Sequence, residues 1–143
     1  MAYWLLKSEP DVFSWNDLVA RGAEGEPWNG VRNHTAKLNM MAMKRGDQAF
    51  FYHSQAGKEI VGVCEVIAEA YPDPTDAKGV FVCVDVRAVA PLPRPFTLAE
   101  AKADPALQGM SLVTSFRLSV QPVTDAEWAH ILASVGADQL ASQ

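Results

Sequence analysis

The chain has 143 residues, of which 49% are hydrophobic and 20% are charged, and its formal net charge at pH 7 is −5. This composition is ordinary for a globular protein, and the length predicts a single domain over residues 1–143. The acidic balance argues against indiscriminate binding to nucleic acid, and no apolar run approaches the roughly 18 residues of a membrane span.

The first third of the chain predicts one strand and two helices, with a loop between the helices. The first helix opens on a capping box and carries Trp15 and Leu18 on one buried face. The second helix has two apolar stripes that predict core positions, Ala36–Met40–Met43 and Leu38–Met41. In chain order the elements are a strand at 3–7 ended by Pro10, a helix from Ser14 to about Arg21, a loop around Trp28, and a helix from 33 to about 44.

The middle of the chain predicts three strands. In the first of them, Phe50 and Tyr52 share one face of the sheet while Phe51 and His53 share the other. Gly62, inside the next strand, indicates a bulge or a close approach of another group to the backbone. In chain order the elements are strands at 48–54, 59–67 and 80–89, a hairpin turn at 55–58, a loop at 71–79, and an extended proline-rich connector at 91–95; in the last strand Val80, Val82, Val84 and Val86 face one way.

The last third predicts two capped helices and two short strands. Thr97 and Glu100 form one capping box, and Thr124 and Glu127 form another, whose helix ends at Gly136. Five or six strands with short helices and hairpin connections predict an α+β fold with a curved, mostly antiparallel sheet, and a small barrel would remove its edges. The elements are a helix from 97 to about 104, strands at 110–113 and 116–120, and a helix that buries Trp128, Ile131 and Leu132.

The cysteines and the N-terminal segment bear on the compartment. Cys64 and Cys83 both lie in strand-like stretches, and the first apolar run has no basic leader before it. This segment therefore indicates a strand and not a signal peptide. Together these features predict reduced core thiols in a cytoplasmic protein.

The segment from Trp28 to Asn33 has no apolar periodicity, so neither a core strand nor a core helix explains its tryptophan. Trp28 can form one wall of a pocket in which Arg32 and Asn33 supply hydrogen bonds. It can equally cover the core next to the following helix. We interpret it as a pocket wall. Polar groups follow strand ends in four segments that could complete such a pocket, namely Lys7-Ser8-Glu9, Trp28–Asn33, Tyr52-His53-Ser54 and Arg117-Leu118-Ser119.

These groups suit a flat, polar, uncharged ring, which would stack on the aromatic wall and be recognised by fixed donors and acceptors at its edge. Several of them also have a purely structural interpretation. Ser8 can cap a turn, and His53 can be a satisfied strand histidine. Arg32 can pair with a nearby acid, and Arg117 can be solvated.

Signatures of enzymes and metal sites are weak. The sequence has no Gly-x-Ser-x-Gly elbow, no paired Cys/His spacing for zinc and no phosphate-cradling glycine pattern. Its three histidines, His34, His53 and His130, are scattered along the chain. The sequence therefore predicts no catalytic residues, no metal and no cofactor.

The segments together resemble the EVE domain, a member of the PUA-like superfamily. Seven motifs in the family's order, from near residue 3 to residue 135, carry this resemblance. They are Tyr3–Pro10, Trp28–Asn33, Met43–Asp47, Phe50–Ser54, Ile60–Val63, Glu69–Asp73 and Leu118–Val123.

The resemblance implies a PUA-like β-barrel with a pocket at its mouth, and a non-enzymatic protein that recognises a modified base in nucleic acid. EVE domains are similar to YTH domains, which bind N6-methyladenine in RNA, and to SRA domains, which bind 5-methylcytosine flipped out of DNA. Two departures stand out: the further tryptophans of a YTH cage are missing, and the loop at 73–79 is short. The implied base pocket is Ser8, Glu9, Trp28, Asn33, Tyr52, His53, Ser54 and Ser119, with Lys7, Arg32 and Arg117 on phosphates or polar groups.

The expected partner is nucleic acid with a modified base, with DNA favoured over RNA and modified cytosine, 5-methyl or 5-hydroxymethyl, as the leading ligand. A module for modified tRNA or rRNA, or for N6-methyladenine, is the first alternative. A small enzyme that acts on modified nucleosides, with His53 or Glu9 as base, is the second. We expect a monomer without a membrane partner.

Overall fold

The computed structural model describes residues 1–115 and 117–142. Within these residues it contains six strands, five α-helices and three short 3-10 helices. The strands are β1 Tyr3–Ser8, β2 Glu26–Pro27, β3 Gln48–His53, β4 Glu59–Pro72, β5 Val82–Thr97 and β6 Val120–Val123. The helices are α1 Trp15–Ala20, α2 His34–Ala42, α3 Leu98–Ala103, α4 Ser111–Thr114 and α5 Asp125–Ser134.

The strands form one mixed sheet in the order β2-β5-β4-β3-β1-β6. The pair β1–β3 is parallel, with Tyr3 opposite Gln48 and Ser8 opposite His53, and the other neighbouring pairs are antiparallel. The predicted α+β class and the mostly antiparallel sheet are therefore confirmed. Within the described residues no pairing joins β2 to β6, so the sheet does not close into the barrel that the family resemblance implies.

The predicted capping boxes are confirmed at three helix starts. Ser14, Thr97 and Thr124 each accept a hydrogen bond from the backbone N–H three residues on, and the acidic residue there accepts one in return. Each box satisfies donors that the first helical turn leaves without partners. This local chemistry explains why the starts of α1, α3 and α5 lie where the sequence predicts them.

Strand alternation divides the core into two clusters. Phe50 and Tyr52 pack in the first, with Trp128 of α5, and Phe51 packs in the second, with Trp15 and Trp28. Both faces of β3 are buried because helices or loops cover both sides of the sheet. Trp4, Trp15 and Trp128 are buried as predicted.

Gly62 makes the close approach that its position in a strand predicts. The β4 register shifts between Ile60 and Gly62, and a Cβ atom at Gly62 would lie 2.6 Å from the ring of Trp15. Only a glycine lets the Trp15 ring pack directly on this strand. The bulge in β4 is therefore the place where the Trp15 ring of α1 contacts the sheet.

Two predictions about the apolar pattern are wrong. Leu38 and Met41 are 64% and 52% exposed, because at about 100° per residue they lie on the side of α2 opposite Ala36 and Met40. Val80 is 41% exposed and precedes β5, whereas Val84 and Val86 are buried.

The prediction that a connector covers 91–95 is also wrong, because β5 continues through it to Thr97. Successive residues of a strand direct their N–H groups to opposite edges. Pro91, Pro93 and Pro95 lack this N–H group, but at every second position they affect only one edge and leave the other able to pair. That edge pairs with β4, where Gly62 lies opposite Pro91.

Within the described residues no strand lies at 110–113, and of the strand predicted at 116–120 only Val120 belongs to a strand. Residues 111–114 form α4, in which the N–H of Thr114 donates to the carbonyl of Met110 at 3.0 Å. Periodicity cannot separate a strand from a helical turn in so short an apolar run. The last strand begins only at Val120 and extends to Val123, while Phe116 lies outside the described residues.

Two further features bear on the sequence analysis. In the described part of the chain, no helix combines the length and the apolar character needed to cross a lipid bilayer. Cys64 and Cys83 are both free and buried, as predicted. Burial raises the pKa of the Cys64 thiol to about 12.

Candidate functional site

A cleft of about 520 Å³ opens beside the C-terminal end of β1. We call it the large cleft. The end of β1, the turn that precedes α1 and the loop that follows β2 form its walls. Its lining residues are Lys7, Ser8, Glu9, Val12, Phe13, Arg21, Glu26, Pro27, Trp28, Asn29, Gly30, Val31, Arg32 and Ser119.

Ser8 shapes the turn on one side of the large cleft. Its hydroxyl donates to the carbonyl of Phe13 at 2.6 Å, and the N–H groups of Val12 and Phe13 both donate to the carbonyl of Glu9 at 2.9 Å. The turn-capping interpretation of Ser8 is therefore correct, and the same residue also lines the cleft. The tight turn presents Phe13 to the cleft.

Trp28 lies on the border between the core and the large cleft. Its backbone N–H donates to the carbonyl of Val84 at 2.7 Å, which joins the loop to β5. Its ring packs edge-to-face against Phe51, with centroids 5.5 Å apart, and against Phe13, with centroids 6.2 Å apart. Only 7% of Trp28 is exposed, so both interpretations of the sequence apply to it: it covers the core and contributes to a cleft wall.

Asp73 holds the loop after Trp28 in place. Its Oδ2 accepts hydrogen bonds from the N–H of Gly30 at 2.8 Å and from Nη1 of Arg32 at 3.1 Å. Its Oδ1 accepts from the N–H and the hydroxyl of Thr75. Burial by itself raises the pKa of Asp73, but the hydrogen bonds from Thr75, Gly30 and Arg32 outweigh it and lower the pKa to about 2.

The side chains that line the large cleft include three cations and two carboxylates in an acidic protein. Lys7, Arg21 and Arg32 line it together with Glu9 and Glu26. Arg21 pairs with Glu26 at 2.9 Å, and Arg32 pairs with the buried Asp73, while the Arg32 side chain stays 39% exposed. The Arg32 guanidinium can therefore contact a ligand without leaving its acid partner.

Tyr52 and Ser54 do not line the large cleft. They line a second cleft of about 240 Å³, which we call the small cleft. Since side chains alternate along β3, Tyr52 points into the core cluster on the sheet face opposite Trp28. The lining residues of the small cleft are Lys7, Tyr52, Ser54, Gln55, Lys58, Leu98 and Leu112.

Three other residues of the predicted site line neither cleft. His53 accepts a hydrogen bond at Nε2 from the N–H of Trp15, at 3.0 Å, and burial lowers its pKa. Asn33 is the N-cap of α2, where its side chain accepts from the N–H of Ala36. Arg117 is exposed in the segment before β6. The structure thus brings together Lys7, Ser8, Glu9, Trp28, Arg32 and Ser119.

Phe13 and Val12 are cleft residues that the sequence analysis missed. A local signal for Phe13 exists, because it directly precedes the Ser14 capping box and Leu18 occupies the position that a hydrophobic staple would contact. That signal explains Phe13 as part of a helix start and predicts no cleft. Val12 is 75% exposed, and no pattern in the sequence marks it.

No group of three or more His, Cys, Asp or Glu side chains in residues 1–115 and 117–142 is arranged to hold a metal ion. The large cleft itself offers an aromatic and aliphatic wall, hydroxyls, two carboxylates and cationic side chains. Such a set can enclose a planar polar ring and hydrogen-bond its edge.

Comparison with known proteins shows a family. The model of the EVE domain family matches residues 2–134. Thymocyte nuclear protein 1 of Mus musculus is 37% identical over 165 residues, covering 92% of this chain and 72% of the relative.

Solved structures agree with this match. The NMR structure of a protein from Rhodopseudomonas palustris is 62% identical, with a TM-score of 0.90 over 95% of this chain and 94% of that one. The crystal structure of human THYN1 protein in complex with 5-methylcytosine containing DNA is 33% identical, with a TM-score of 0.86 over 100% and 99% of the two chains. A YTH domain of Zygosaccharomyces rouxii, 14% identical with a TM-score of 0.52, shares the fold alone.

Proposed function

The chain belongs to the EVE domain family, and from that membership we propose that it is a non-enzymatic protein that binds DNA carrying a modified cytosine. The modification is a 5-methyl or 5-hydroxymethyl group, and the extruded base occupies the large cleft. The observation that carries the proposal is the similarity, over the whole chain, to human THYN1 in complex with 5-methylcytosine containing DNA.

The apolar wall of the large cleft suits the group that distinguishes the modified base. Val12, Phe13, Pro27 and Val31 line the cleft beside Trp28. Burial of one methyl group gains about 0.8 kcal/mol, or about a fourfold preference over cytosine. Stacking contributes about 1–3 kcal/mol per base whatever the modification, which helps to offset the few kcal/mol that base extrusion costs.

The polar side of the large cleft suits the edge of a cytosine. The Glu9 carboxylate can accept a hydrogen bond from the exocyclic amine, which is the contact that acidic residues make to cytosine. The Ser8 hydroxyl donates to Phe13, so its oxygen remains an acceptor, while Ser119 can donate or accept. A base with the wrong edge would leave one of these groups without a partner, which costs about 1–3 kcal/mol.

Cationic side chains at the cleft provide contacts for the DNA backbone. Lys7 and Arg32 line the large cleft, and we assign them, together with the exposed Arg117, to flanking phosphates. Such contacts raise affinity for any DNA without discriminating between bases. Selectivity for the modified base therefore depends on the base pocket, whereas general affinity for DNA depends on Lys7, Arg32 and Arg117.

The hydrogen bond that His53 accepts argues against a catalytic role for this residue. Its Nε2 lone pair accepts the Trp15 N–H, and burial lowers its pKa. A nitrogen engaged in this way cannot take a proton from a substrate while the α1 start stays in place. Asn33, Tyr52 and Ser54 are likewise outside the proposed base pocket, which is reduced to Ser8, Glu9, Trp28 and Ser119 with the apolar wall.

The test uses two exposed valines, one just before α1 and one on it. Val12 lines the large cleft, whereas Val19 lies on α1 and does not line it. The variants Val12→Trp and Val19→Trp each add the same bulk at the surface. Binding is measured by fluorescence anisotropy of labelled duplexes that contain cytosine, 5-methylcytosine or 5-hydroxymethylcytosine at one position, and with RNA of the same sequence.

We expect the wild type and Val19→Trp to prefer a modified duplex, and Val12→Trp to lose the preference while it keeps weak binding to all duplexes. Equal binding of the wild type to all three duplexes refutes the proposal. A preference for modified RNA over modified DNA refutes the assignment to DNA. Trp28→Ala is an unsuitable probe, because removal of a ring that is 7% exposed costs about 3–5 kcal/mol of stability.

A further inference from the structure

We propose that the small cleft binds a backbone phosphate of the DNA strand whose modified base occupies the large cleft. The inference rests on the proposed function, and it assigns a role to Lys58. Lys58 is not among the site residues that the sequence predicts.

The two clefts meet at Lys7, which lines both of them. The Lys7 Nζ lies 5.6 Å from the centroid of the Tyr52 ring, so the ammonium group extends over the small cleft. Neighbouring nucleotides are linked through a phosphate. A strand with one base in the large cleft can therefore place an adjacent phosphate at Lys7.

The lining of the small cleft suits an anion. Its volume of about 240 Å³ is below the roughly 300–1,000 Å³ of sites for drug-sized ligands, and the large cleft falls within that range. The described residues that line it include two lysines and no carboxylate. Ser54, Gln55 and Tyr52 add hydroxyl and amide donors. Leu98 and Leu112 complete the lining with an apolar surface beside these groups.

The backbone fixes the point from which Lys58 extends. Its carbonyl accepts a hydrogen bond from the N–H of Leu98 at 2.9 Å, which joins the hairpin turn to the start of α3. Its φ of 48° lies in the left-handed region. Its side chain is exposed. The Lys58 ammonium group can therefore reach a ligand at the cleft without a change in the fold.

The test compares Lys58→Gln with a matched control. Lys44→Gln removes the same charge from another exposed lysine, which precedes β3 and so lies at the end of that strand away from the small cleft. Binding to the methylated and unmethylated duplexes is measured from 50 to 200 mM salt. The same measurement is repeated with a duplex in which the phosphate next to the modified base is a neutral methylphosphonate.

We expect Lys58→Gln to weaken binding to both duplexes by roughly fivefold and to reduce the salt slope by about 0.7–0.9, the value for one phosphate contact. The preference for methylated DNA should persist. The methylphosphonate should weaken binding of the wild type by a similar factor and that of Lys58→Gln hardly at all. Lys44→Gln should behave like the wild type.

A salt slope of Lys58→Gln equal to that of Lys44→Gln overturns the phosphate site, and it leaves the modified-base proposal intact if the wild type still prefers methylated DNA. Loss of slope without any such preference in the wild type supports the phosphate site and refutes the modified-base proposal. Inorganic phosphate is titrated against the protein in parallel and followed by the NMR shifts of the Ser54 and Gln55 amides. One outcome is that phosphate shifts these amides in the wild type but not in Lys58→Gln, while the variant still binds DNA as the wild type does. That combination overturns the assignment to DNA and identifies a free anion as the ligand.

Discussion

The variant Asp73→Asn tests whether one buried carboxylate holds the loop that carries Trp28 and Arg32. Asp73 is 2% exposed, and its two oxygens accept four hydrogen bonds from Gly30, Arg32 and Thr75. Asparagine keeps the shape of the side chain. It removes the charge, however, and replaces one acceptor oxygen with an NH₂ group that would face other donors.

The expected loss of stability follows from these contacts. Hydrogen bonds to a charged group are worth about 1.5–3 kcal/mol each, and a buried donor without a partner costs about 1–3 kcal/mol. Because the loop can shift to recover part of this, we expect the free energy of unfolding to fall by about 2–4 kcal/mol. The pKa gives a second estimate: a decrease from 3.8 to about 2 corresponds to about 2 kcal/mol at 1.36 kcal/mol per unit.

The pH dependence has a defined sign. A carboxyl whose pKa is lower in the folded state binds fewer protons there, so its stabilisation is complete above about pH 4 and is lost as the pH falls toward 2. Urea unfolding of the wild type and of Asp73→Asn should therefore differ most at pH 7, and the difference should shrink below pH 4. Asp11→Asn, at an exposed position, is the control.

Two results would refute this reasoning. The first is a difference at pH 7 below about 0.5 kcal/mol, the size of an ordinary surface substitution. The second is a difference that does not change between pH 7 and pH 2.5. In either case Asp73 would not be the group that orders the loop.

Two further predictions concern the packing of α1 against the sheet. Gly62→Ala should lower the free energy of unfolding by about 1–3 kcal/mol, because the added Cβ would lie 2.6 Å from the Trp15 ring. Gly109→Ala is the control, since a Cβ there would have no other atom within 4 Å. Urea titration of both variants checks this difference. His53 should make unfolding easier as the pH falls below 6.5, since burial lowers its pKa against the opposing influence of Glu59 and the unfolded chain binds the proton more readily. His53→Gln should remove that part of the pH dependence, and an unchanged profile between pH 7 and pH 5 would contradict the assignment.

Local chemistry explains the parts of the fold that the sequence predicts correctly. A capping box needs only residues three positions apart, so Ser14 and Thr124 mark helix starts before any tertiary contact is considered. Alternation along β3 likewise assigns Phe50 and Phe51 to opposite faces. The predictions fail where a run is too short for its period to be measured, as in α4.

The structural interpretations of single residues are correct more often than the sequence alone indicates. Ser8 caps its turn, His53 has a backbone partner, and Arg32 pairs with an acid. For Ser8 and Arg32 this does not exclude a place in the cleft, since each has a polar atom left to offer. A structural contact and a binding role are therefore compatible in one side chain.

Motifs and spacing within a few residues are enough to predict the family, the α+β class, the capped starts of α1, α3 and α5, and the identity of several cleft residues. They do not determine which of those residues share a cleft. The sequence predicts Tyr52 and Trp28 in one pocket, yet the sheet separates them, because Trp28 packs on the face of β3 that carries Phe51 and Tyr52 lies on the other face. Only the pairing of β1 with β3, and the turn that carries Phe13, decided that Lys7 borders two clefts. Contacts between residues far apart in the chain depend on how the strands associate, and no local pattern records that.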